Sequence, residues 1–581
     1  MAQKTFLLHP RCHFYFQNNA HEIRLRYNIL HDNKSGTLDE VKMSSVPYDI
    51  LGTGIKEGGG EISTLNIIDA KTDKSSYTIG EHAKISCNVT DGSGVIVPGA
   101  FITAEITKPD NSVETVLISQ NELGNYEGIF TDVSSLGTYH VTIKAKKQGF
   151  TDASPINLTF VAERNKIPLG KNLPVANQEI EFYSIYIPDR YGGELTVTAT
   201  GGGRIGLYYP DPYTKVTDAA TKIDNCPISK HGWYYVKIID KGSVSSISNT
   251  FVQTGEVPRP WNFWYWPLKK QTDSRLNLYG VNGPLDKYDA IFKDQYNSLS
   301  LLWLKALGYT GAKDYEEKNW GGENWDGWEG HCWGGTIASI LLPQPTDTIY
   351  HIFSDDEIEG IVMKLANTGA KGIDIVTDIP SFRIGPGGKI VPIVPVPGPD
   401  ETDEFAYYFH KGLIDYLQIG IEGVKKPLQS NVRDPNAIRP DAVWNHAIYQ
   451  YSSTLEESED NKEDIIRITT TIRANADIPP PSEDRTVDNK VRDRIETYVY
   501  KLKYVDGDLD KDYIYKGQDW ISASASGAPD SNVKGFAPRS LRYIKGSLFD
   551  GGKTSNAGEW WPYNPYITKE NVEKLKVDFP Q

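Results

Sequence analysis

The chain has 581 residues, with 61 Lys and Arg against 76 Asp and Glu, so its formal net charge is −15. This length corresponds to several domains of roughly 150 residues each, and a negatively charged surface disfavours nucleic acid as a partner. We find no apolar run near the roughly 20 residues that a membrane-spanning helix needs, and no signal peptide at the start.

The cysteine pattern excludes two common classes of small scaffold. The four cysteines (Cys12, Cys87, Cys226 and Cys332) are far apart and form no CxxC pair. This spacing predicts neither a zinc site nor a disulfide framework. No phosphate-binding or dinucleotide-binding glycine motif occurs either, so we predict no cofactor and no metal.

The first half of the chain is dominated by strand signals. Residues 1–62 form an N-terminal segment that ends in a glycine-rich linker. Residues 63–163 contain short alternating segments such as HAKISCNV (82–89) and INLTFVAE (156–163), which predict a β-sandwich. This stretch resembles the Ig-like modules of macroglobulins and invasins, which usually act as spacers or adhesive stalks. Residues 164–256 repeat the pattern and predict a second sandwich.

Helical signals begin in residues 257–581. They predict helices over 289–308 and 354–369, the second opened by Ser354 and Glu357 at capping-box spacing. Apolar β-like runs, including RIETYVYKLKYV, lie between and after the helical segments. The predicted fold is therefore multidomain: two all-β sandwiches followed by an α+β domain.

Cys332 has the sequence context expected of a nucleophile. It lies in WDGWEGHCWGGTIASILL (325–342), where the small residues after it predict the start of a helix. Backbone N–H groups at a helix N-terminus stabilise a thiolate. The alternative is an inert cysteine buried among aromatic residues.

A nucleophilic cysteine requires a base, and three histidines are candidates. His410 lies beside the apolar face of a predicted helix, next to Phe409 and Leu413. His446 follows Asn445, and His331 directly precedes the cysteine. Neighbouring side chains generally point in different directions, so His331 is the weakest of the three.

Four segments in order resemble the transglutaminase-elicitor family, whose founding members are secreted oomycete transglutaminases. They are WEGHCWGGTIAS, the FHKGL segment at 409–413, the VWN segment at 443–445, and TYVYKLKYVDGDLDKD with a closing NPYITKENVEKL. The resemblance covers roughly residues 257–581. Two departures stand out, because Gly335 replaces a tryptophan of many relatives and His446-Ala447 replaces a Gln-Pro pair.

The resemblance implies a papain-like core with Cys332 as nucleophile, His410 as general base and acid, and Asp434 as the orienting acid. Asp441 and Asn445 are the alternative third members, and Trp325, Trp328 and Trp333 are candidate groove or oxyanion residues. The implied enzyme is a protein-glutamine γ-glutamyltransferase. Its partners would be a protein glutamine and a lysine or polyamine acceptor, giving crosslinks, or deamidation with water.

Two other functions are compatible with the same residues. A papain-like cysteine peptidase would use the same triad on a peptide bond. A surface adhesin or binding protein would use the β-modules and carry an inactive enzyme core. Localisation stays open as well, because the module type favours a secreted or cell-surface protein and the missing signal peptide disfavours export.

Overall fold

The computed structural model divides the chain into two units, residues 1–61 and 62–581, and every residue it describes belongs to the second. The described residues are 63–121, 124–175, 181–240, 244–325, 329–345, 349–366, 372–377, 382–384, 390–392, 405–433, 443–458, 464–476, 478, 493–510, 520–525, 540–544 and 564–575.

The first β-region is a two-layered sandwich with its own core. Its eight strands are β1 Asn66–Thr72, β2 Ser76–Thr78, β3 Ala83–Thr90, β4 Phe101–Thr107, β5 Val113–Gln120, β6 Tyr126–Phe130, β7 Gly137–Lys146 and β8 Ile156–Glu163. They follow the order β1-β3-β6-β5-β4-β7-β8-β2. Inward and outward side chains alternate, and Phe130 meets Phe160 across the layers. The predicted β-sandwich character is confirmed.

The second β-region is continuous with the C-terminal half. Its strands are β9 Asn172–Pro174, β10 Phe182–Ile187, β11 Gly193–Thr200, β12 Ile205–Tyr208, β13 Lys215–Ala219, β14 Lys222–Ile228, β15 Gly232–Ile238 and β16 Ser246–Glu256. Strand β16 pairs antiparallel with Val443–Glu457, for example Phe251 opposite Leu455. One hydrophobic core therefore contains residues of both parts.

Helices occur in the C-terminal half. They are α1 Pro284–Phe292, α2 Leu302–Ala306, α3 Ala312–Trp320, α4 Cys332–Leu341, α5 Asp355–Ala366, α6 Phe405–Gly412, which continues as a π-helix over Leu413–Ile419, and α7 Lys569–Lys574. None of the helices in the described part of the chain is long and apolar enough to cross a membrane.

Two helix predictions had different outcomes. The capping box of α5 is confirmed, since the Ser354 N–H donates to Glu357 Oε2 at 2.7 Å and the Glu357 N–H donates to Ser354 Oγ at 3.3 Å. The single helix predicted over 289–308 is wrong, because α1 ends at Phe292 and α2 begins only at Leu302. Ser298 between them is extended, in keeping with the competition of serine side chains for helical backbone groups.

Most of the remaining strands complete a sheet that has twelve strands in the described part of the chain. They are β17 Gly372–Thr377, β18 Phe382–Ile384, β19 Ile390–Pro392, β20 Leu428–Arg433, β21 Val443–Glu457, β22 Ile465–Asn475, β23 Asp493–Val505, β24 Asp508–Leu509, β25 Trp520–Ala525 and β26 Ser540–Ile544. Strands β18 and β19 form a separate hairpin. Helix α4 packs between β21 and α5, so Cys332 lies against the middle of the large sheet.

Candidate functional site

Cys332 is the first residue of α4, as predicted, and only 6% of it is exposed. The residue before it fixes this end of the helix. The His331 N–H donates to Tyr265 O at 2.6 Å, and the His331 carbonyl accepts the Gly335 N–H at 3.0 Å. Hydrogen bonds of the His331 backbone therefore fix the start of α4, where the thiol lies. Helix N-termini stabilise negatively charged groups.

The small residues after Cys332 allow α4 to pack closely against its neighbours. A Cβ at Gly335 would lie 2.6 Å from the Phe263 ring and 2.7 Å from Met363 Cε. A larger side chain at this position would push the helix away from both. The close packing therefore gives a steric reason for glycine, instead of the expected tryptophan, at position 335.

Asn445 contacts the thiol directly. Its Nδ2 donates to Cys332 Sγ at 3.2 Å across the interface between β21 and α4. Further along, Asn475 donates to Ser339 Oγ at 3.2 Å and to Trp261 O at 2.9 Å. Amide side chains thus hold α4 over the sheet.

Three buried side-chain amide atoms in this part of the sheet have no hydrogen-bond partner. They are Asn445 Oδ1 and both polar atoms of Gln429, and the two residues are 3% and 1% exposed. Gln429 pairs with Ala447 and Asn445 pairs with Asn431, so Gln429 and Asn445 lie on the same face of the β20–β21 ladder. Buried polar groups without partners cost free energy and call for an explanation.

His446 lies on the other face of the sheet. Consecutive residues of a strand point in opposite directions, so His446 points away from the α4 face that Asn445 occupies. Its Nε2 is 3.1 Å from Arg494 Nη1 on β23. Burial, and then the nearby Arg494 charge, lower the pKa of His446 well below its ordinary value.

His410 shares that far face. Its Nδ1 is 2.8 Å from the Tyr500 hydroxyl and its Nε2 is 3.4 Å from the Tyr504 hydroxyl. Both tyrosines are an even number of residues from Arg494 on β23, and hence on the same face as His446. Burial lowers the pKa of His410 to about 3. The structure thus brings Cys332 and Asn445 together, and it places His410 against two tyrosines instead.

Behind Cys332 lies a buried charged group that the sequence analysis did not identify. Glu316 of α3 accepts from Lys364 of α5 at 2.5 Å and from Asn564 at 3.1 Å, and it is 3.4 Å from His331 Nε2. All four side chains are at most 1% exposed. We call Glu316, Lys364, His331 and Asn564 the Glu316 network.

The charge states of the Glu316 network follow from burial and pairing. Burial lowers the pKa of Lys364 to about 8, although Glu316 opposes the shift. Burial, together with the Lys364 charge, lowers the pKa of His331 to about 4. Burial raises the pKa of Glu316, but Lys364 and His331 outweigh it and the pKa is lowered overall. At neutral pH His331 is therefore uncharged. The signal in the sequence was a lysine inside the apolar stretch IVMKLA (361–366).

The remaining predicted residues fall into two groups. Trp333 is 8% exposed and belongs to the core around α4, whereas Trp325 is half-buried. Trp328, Asp434 and Asp441 lie outside the described residues. The described cysteines Cys87, Cys226 and Cys332 form no disulfide with one another. Within the described ranges no group of three or more His, Cys, Asp or Glu side chains could hold a metal ion.

Comparisons with known proteins found structural similarity only. No protein-family model matches the chain, and no curated protein sequence matches it. The filamin domain of Lin-41 is 17% identical, covering 18% of this chain and 94% of its own, with a TM-score of 0.14. A Salmonella alpha-2-macroglobulin reacted with methylamine is 13% identical, covering 36% of this chain and 16% of its own, with a TM-score of 0.15. The Yersinia pseudotuberculosis adhesin InvE is 9% identical, covering 33% of this chain and 58% of its own, with a TM-score of 0.14. These scores are too low to support a function.

Proposed function

We propose that the C-terminal half is a cysteine acyltransferase of transglutaminase type with Cys332 as its nucleophile. One observation carries the proposal: Cys332 opens α4 and its sulfur accepts a hydrogen bond from Asn445 at 3.2 Å. Helix N–H groups and an amide donor both favour the thiolate, which is the nucleophilic form.

The proposed reaction is acyl transfer from a glutamine side chain. The Cys332 thiolate attacks the γ-carboxamide carbon, and the tetrahedral oxyanion is stabilised by N–H donors such as that of Cys332 itself. The C–N bond then breaks as the leaving nitrogen takes a proton from the general acid, assigned to His410 in the predicted triad, so that ammonia departs and a thioester remains. A primary amine attacks the thioester and gives its proton to the same base, the thiolate is released, and an isopeptide bond results. Attack by water gives glutamate instead.

The predicted Cys332–His410–Asp434 triad is a separate part of the proposal. The hydrogen bonds of His410 to Tyr500 and Tyr504 lie on the face of the sheet opposite Asn445. His410→Gln therefore tests the triad directly. Activity lost with an unchanged melting temperature supports the triad, and activity retained excludes His410 as the base. His331→Gln, next to the thiol, is the parallel variant.

The test of the reaction is amine incorporation. Purified full-length protein is mixed with a glutamine-rich protein and a fluorescent primary amine, and labelling is read by mass spectrometry. We expect Cys332→Ala to abolish labelling and Asn445→Ala to reduce it at least tenfold. Cys226→Ala, which removes a buried cysteine in the second β-region, is the matched control and should label normally. Labelling that persists in Cys332→Ala would refute the proposal.

A second candidate function is favoured by the position of His410. If no histidine serves Cys332, the C-terminal half is an inactive core and the β-regions bind a partner. This reading predicts no labelling and no cleavage of the acceptor protein by the wild type. Cleavage that depends on Cys332 would instead establish a cysteine peptidase.

A further inference from the structure

A short apolar segment around α2 is exposed on the surface of the C-terminal half. Four large apolar side chains lie close together in the chain and face solvent: Leu299 (88% exposed), Leu307 (66%), Trp303 (55%) and Leu302 (43%). Single exposed apolar residues are normal on a folded protein, whereas a contiguous group marks an interaction surface. We call residues 293–308, which carry this group, the Trp303 tip.

Buried side chains hold the Trp303 tip against the rest of the domain. The Tyr296 ring packs against the Tyr566 ring with centroids 4.7 Å apart, and the Tyr296 hydroxyl donates to Asp289 Oδ1 at 2.5 Å. Leu304 is completely buried in the core around α4. The exposed side chains are therefore presented by an anchored segment.

The backbone of the Trp303 tip forms hydrogen bonds within the tip. The Leu301 N–H and the Leu302 N–H donate to Ser298 O at 3.0 Å and 3.2 Å. The Leu307 N–H donates to Trp303 O at 3.1 Å. A backbone group without a partner is costly where water is scarce, so this folded turn suits an apolar boundary.

The Trp303 tip carries more positive than negative charge. Lys293 and Lys305 belong to it, and Asp294 is its only acidic residue. The Lys305 Nζ donates to Asn297 Oδ1 at 3.2 Å, which holds this ammonium group beside the exposed leucines. The whole chain, by contrast, has a formal net charge of −15.

Two lysines from other helices also contact the tip. The Lys574 Nζ of α7 donates to Gln295 Oε1 at 3.4 Å, and the Lys318 Nζ of α3 donates to Gly308 O at 3.0 Å. Lys318 shares its charge with Asp314, at 2.8 Å. The apolar group therefore lies among ammonium groups on an otherwise acidic chain.

The shape and composition of the tip favour a lipid surface over a protein groove. Helix α2 has five residues, which is too short for the apolar stripe of a groove-binding helix, and residues 293–308 contain no strand that could extend a sheet. Leucines and a tryptophan flanked by lysines are typical of segments that lie in the interface of a bilayer. Lysine stems cover apolar surface there while their ammonium groups meet lipid phosphates.

We infer that the Trp303 tip is a docking site for an anionic lipid surface. Leu299, Trp303 and Leu307 enter the boundary between headgroups and acyl chains, and the two lysines of the tip contact the phosphates. This surface is independent of acyl transfer by Cys332, so it goes beyond the proposed function.

The experiment is flotation of the full chain with vesicles of phosphatidylcholine alone or of phosphatidylcholine mixed with phosphatidylglycerol. We expect the wild type to bind the mixed, anionic vesicles, and to bind them more weakly as the salt concentration rises. Trp303→Ser combined with Leu307→Ser should weaken this binding at least tenfold, because apolar area no longer enters the bilayer. Lys305→Glu should weaken it as well. The matched control is Val95→Ser, at a position 62% exposed in the first β-region, which should bind like the wild type.

Four results would overturn the inference. The wild type could bind neither vesicle, or bind both equally, or the double variant could bind as well as the wild type. The fourth is a wild-type dimer, found by light scattering without lipid, that becomes a monomer in the double variant, since this would assign the tip to self-association. The substituted side chains are exposed, so each variant should melt at the wild-type temperature. Should the double variant fail to fold, Leu299→Ser at the most exposed position replaces it, and binding that this variant leaves unchanged overturns the inference.

Discussion

The Glu316 network gives the sharpest prediction on stability near the proposed nucleophile. Glu316 and Lys364 are fully buried and 2.5 Å apart, in α3 and α5. Glu316→Gln retains the side-chain shape and one oxygen acceptor, which can serve either His331 or Asn564. The substitution removes the charge and the other acceptor, and it leaves Lys364 in the core without its carboxylate.

The magnitude follows from what Lys364 can do without a partner. Folded wild-type Lys364 has a pKa of about 8, so without its carboxylate the amine can lose its proton at pH 7 for an extra cost of only about 1.4 kcal/mol. Loss of the proton therefore keeps the penalty below the roughly 3–5 kcal/mol that is typical of breaking a buried ion pair from one side. We expect Glu316→Gln to lower the free energy of unfolding by about 1–2 kcal/mol at pH 7.

The same argument fixes the pH dependence. A lysine whose pKa is lower in the folded state regains stability as the pH rises toward 10.5, because the unfolded chain then loses its proton as well. Both proteins gain stability in this way above pH 8, so the difference between the wild type and Glu316→Gln should shrink as the pH rises from 7 through about 8, where Lys364 becomes neutral in the wild type as well, and it should stay small at pH 10. A double variant, Glu316→Gln with Lys364→Met, should recover most of the lost stability at pH 7, since no buried charge remains.

Urea unfolding followed by circular dichroism measures each variant at pH 7 and pH 10. The control is Asp314→Asn, which breaks the exposed pair of Asp314 with Lys318 at 2.8 Å on the same helix and should cost less than about 1 kcal/mol. A cost for Glu316→Gln at pH 7 that is no larger than the cost of Asp314→Asn, or a cost that does not change with pH, would refute the reasoning.

Three further predictions concern Gly335 of α4, Gln429 of β20 and Cys87 of β3. Gly335→Ala places a methyl group 2.6 Å from the Phe263 ring and should lower the stability measured in a thermal melt by about 1–3 kcal/mol. The control is Gly92→Ala, whose Cβ would meet nothing closer than 3.6 Å and which should lower the stability less. Gln429→Met removes two buried polar atoms without partners and should leave urea stability unchanged or raise it by about 1–2 kcal/mol; a loss above 1 kcal/mol would contradict this. Burial raises the pKa of Cys87 to about 11, so iodoacetamide at pH 8 should not label this cysteine in the native protein. Labelling of Cys87 in a peptide mass analysis would contradict its buried position.

The fold could be predicted where local pattern and burial agree. The segment INLTFVAE matches β8 at both ends, and the capping box of α5 lies at Ser354 and Glu357. Both depend on residues within one turn or one strand. The helix predicted over 289–308 failed, because the prediction followed the apolar spacing and gave no weight to Ser298, where the chain is extended between the two helices.

The site was harder to predict, because it depends on strand direction and register. The sequence indicated Cys332 at a helix start, since small residues and a helix opening are local features. It could not show that Asn445 faces α4 while His446 faces Arg494, because that alternation follows from the placement of β21 in the sheet. Nor could it show that His410 meets Tyr500, which is 90 residues away in the chain. The Glu316 network likewise joins four segments that are distant in sequence.

The unpartnered amide atoms beneath α4 connect stability with the proposed chemistry. An interface shaped only for stability would bury apolar groups there, because a buried amide without partners costs free energy. Asn445 has one such atom and contacts Cys332, whereas Gln429 has two and lies on the neighbouring strand. If Gln429→Met gains stability but loses amine incorporation, the amides serve the reaction. If it gains stability and keeps full activity, Gln429 is dispensable and the function of this face depends on Cys332 and Asn445 alone.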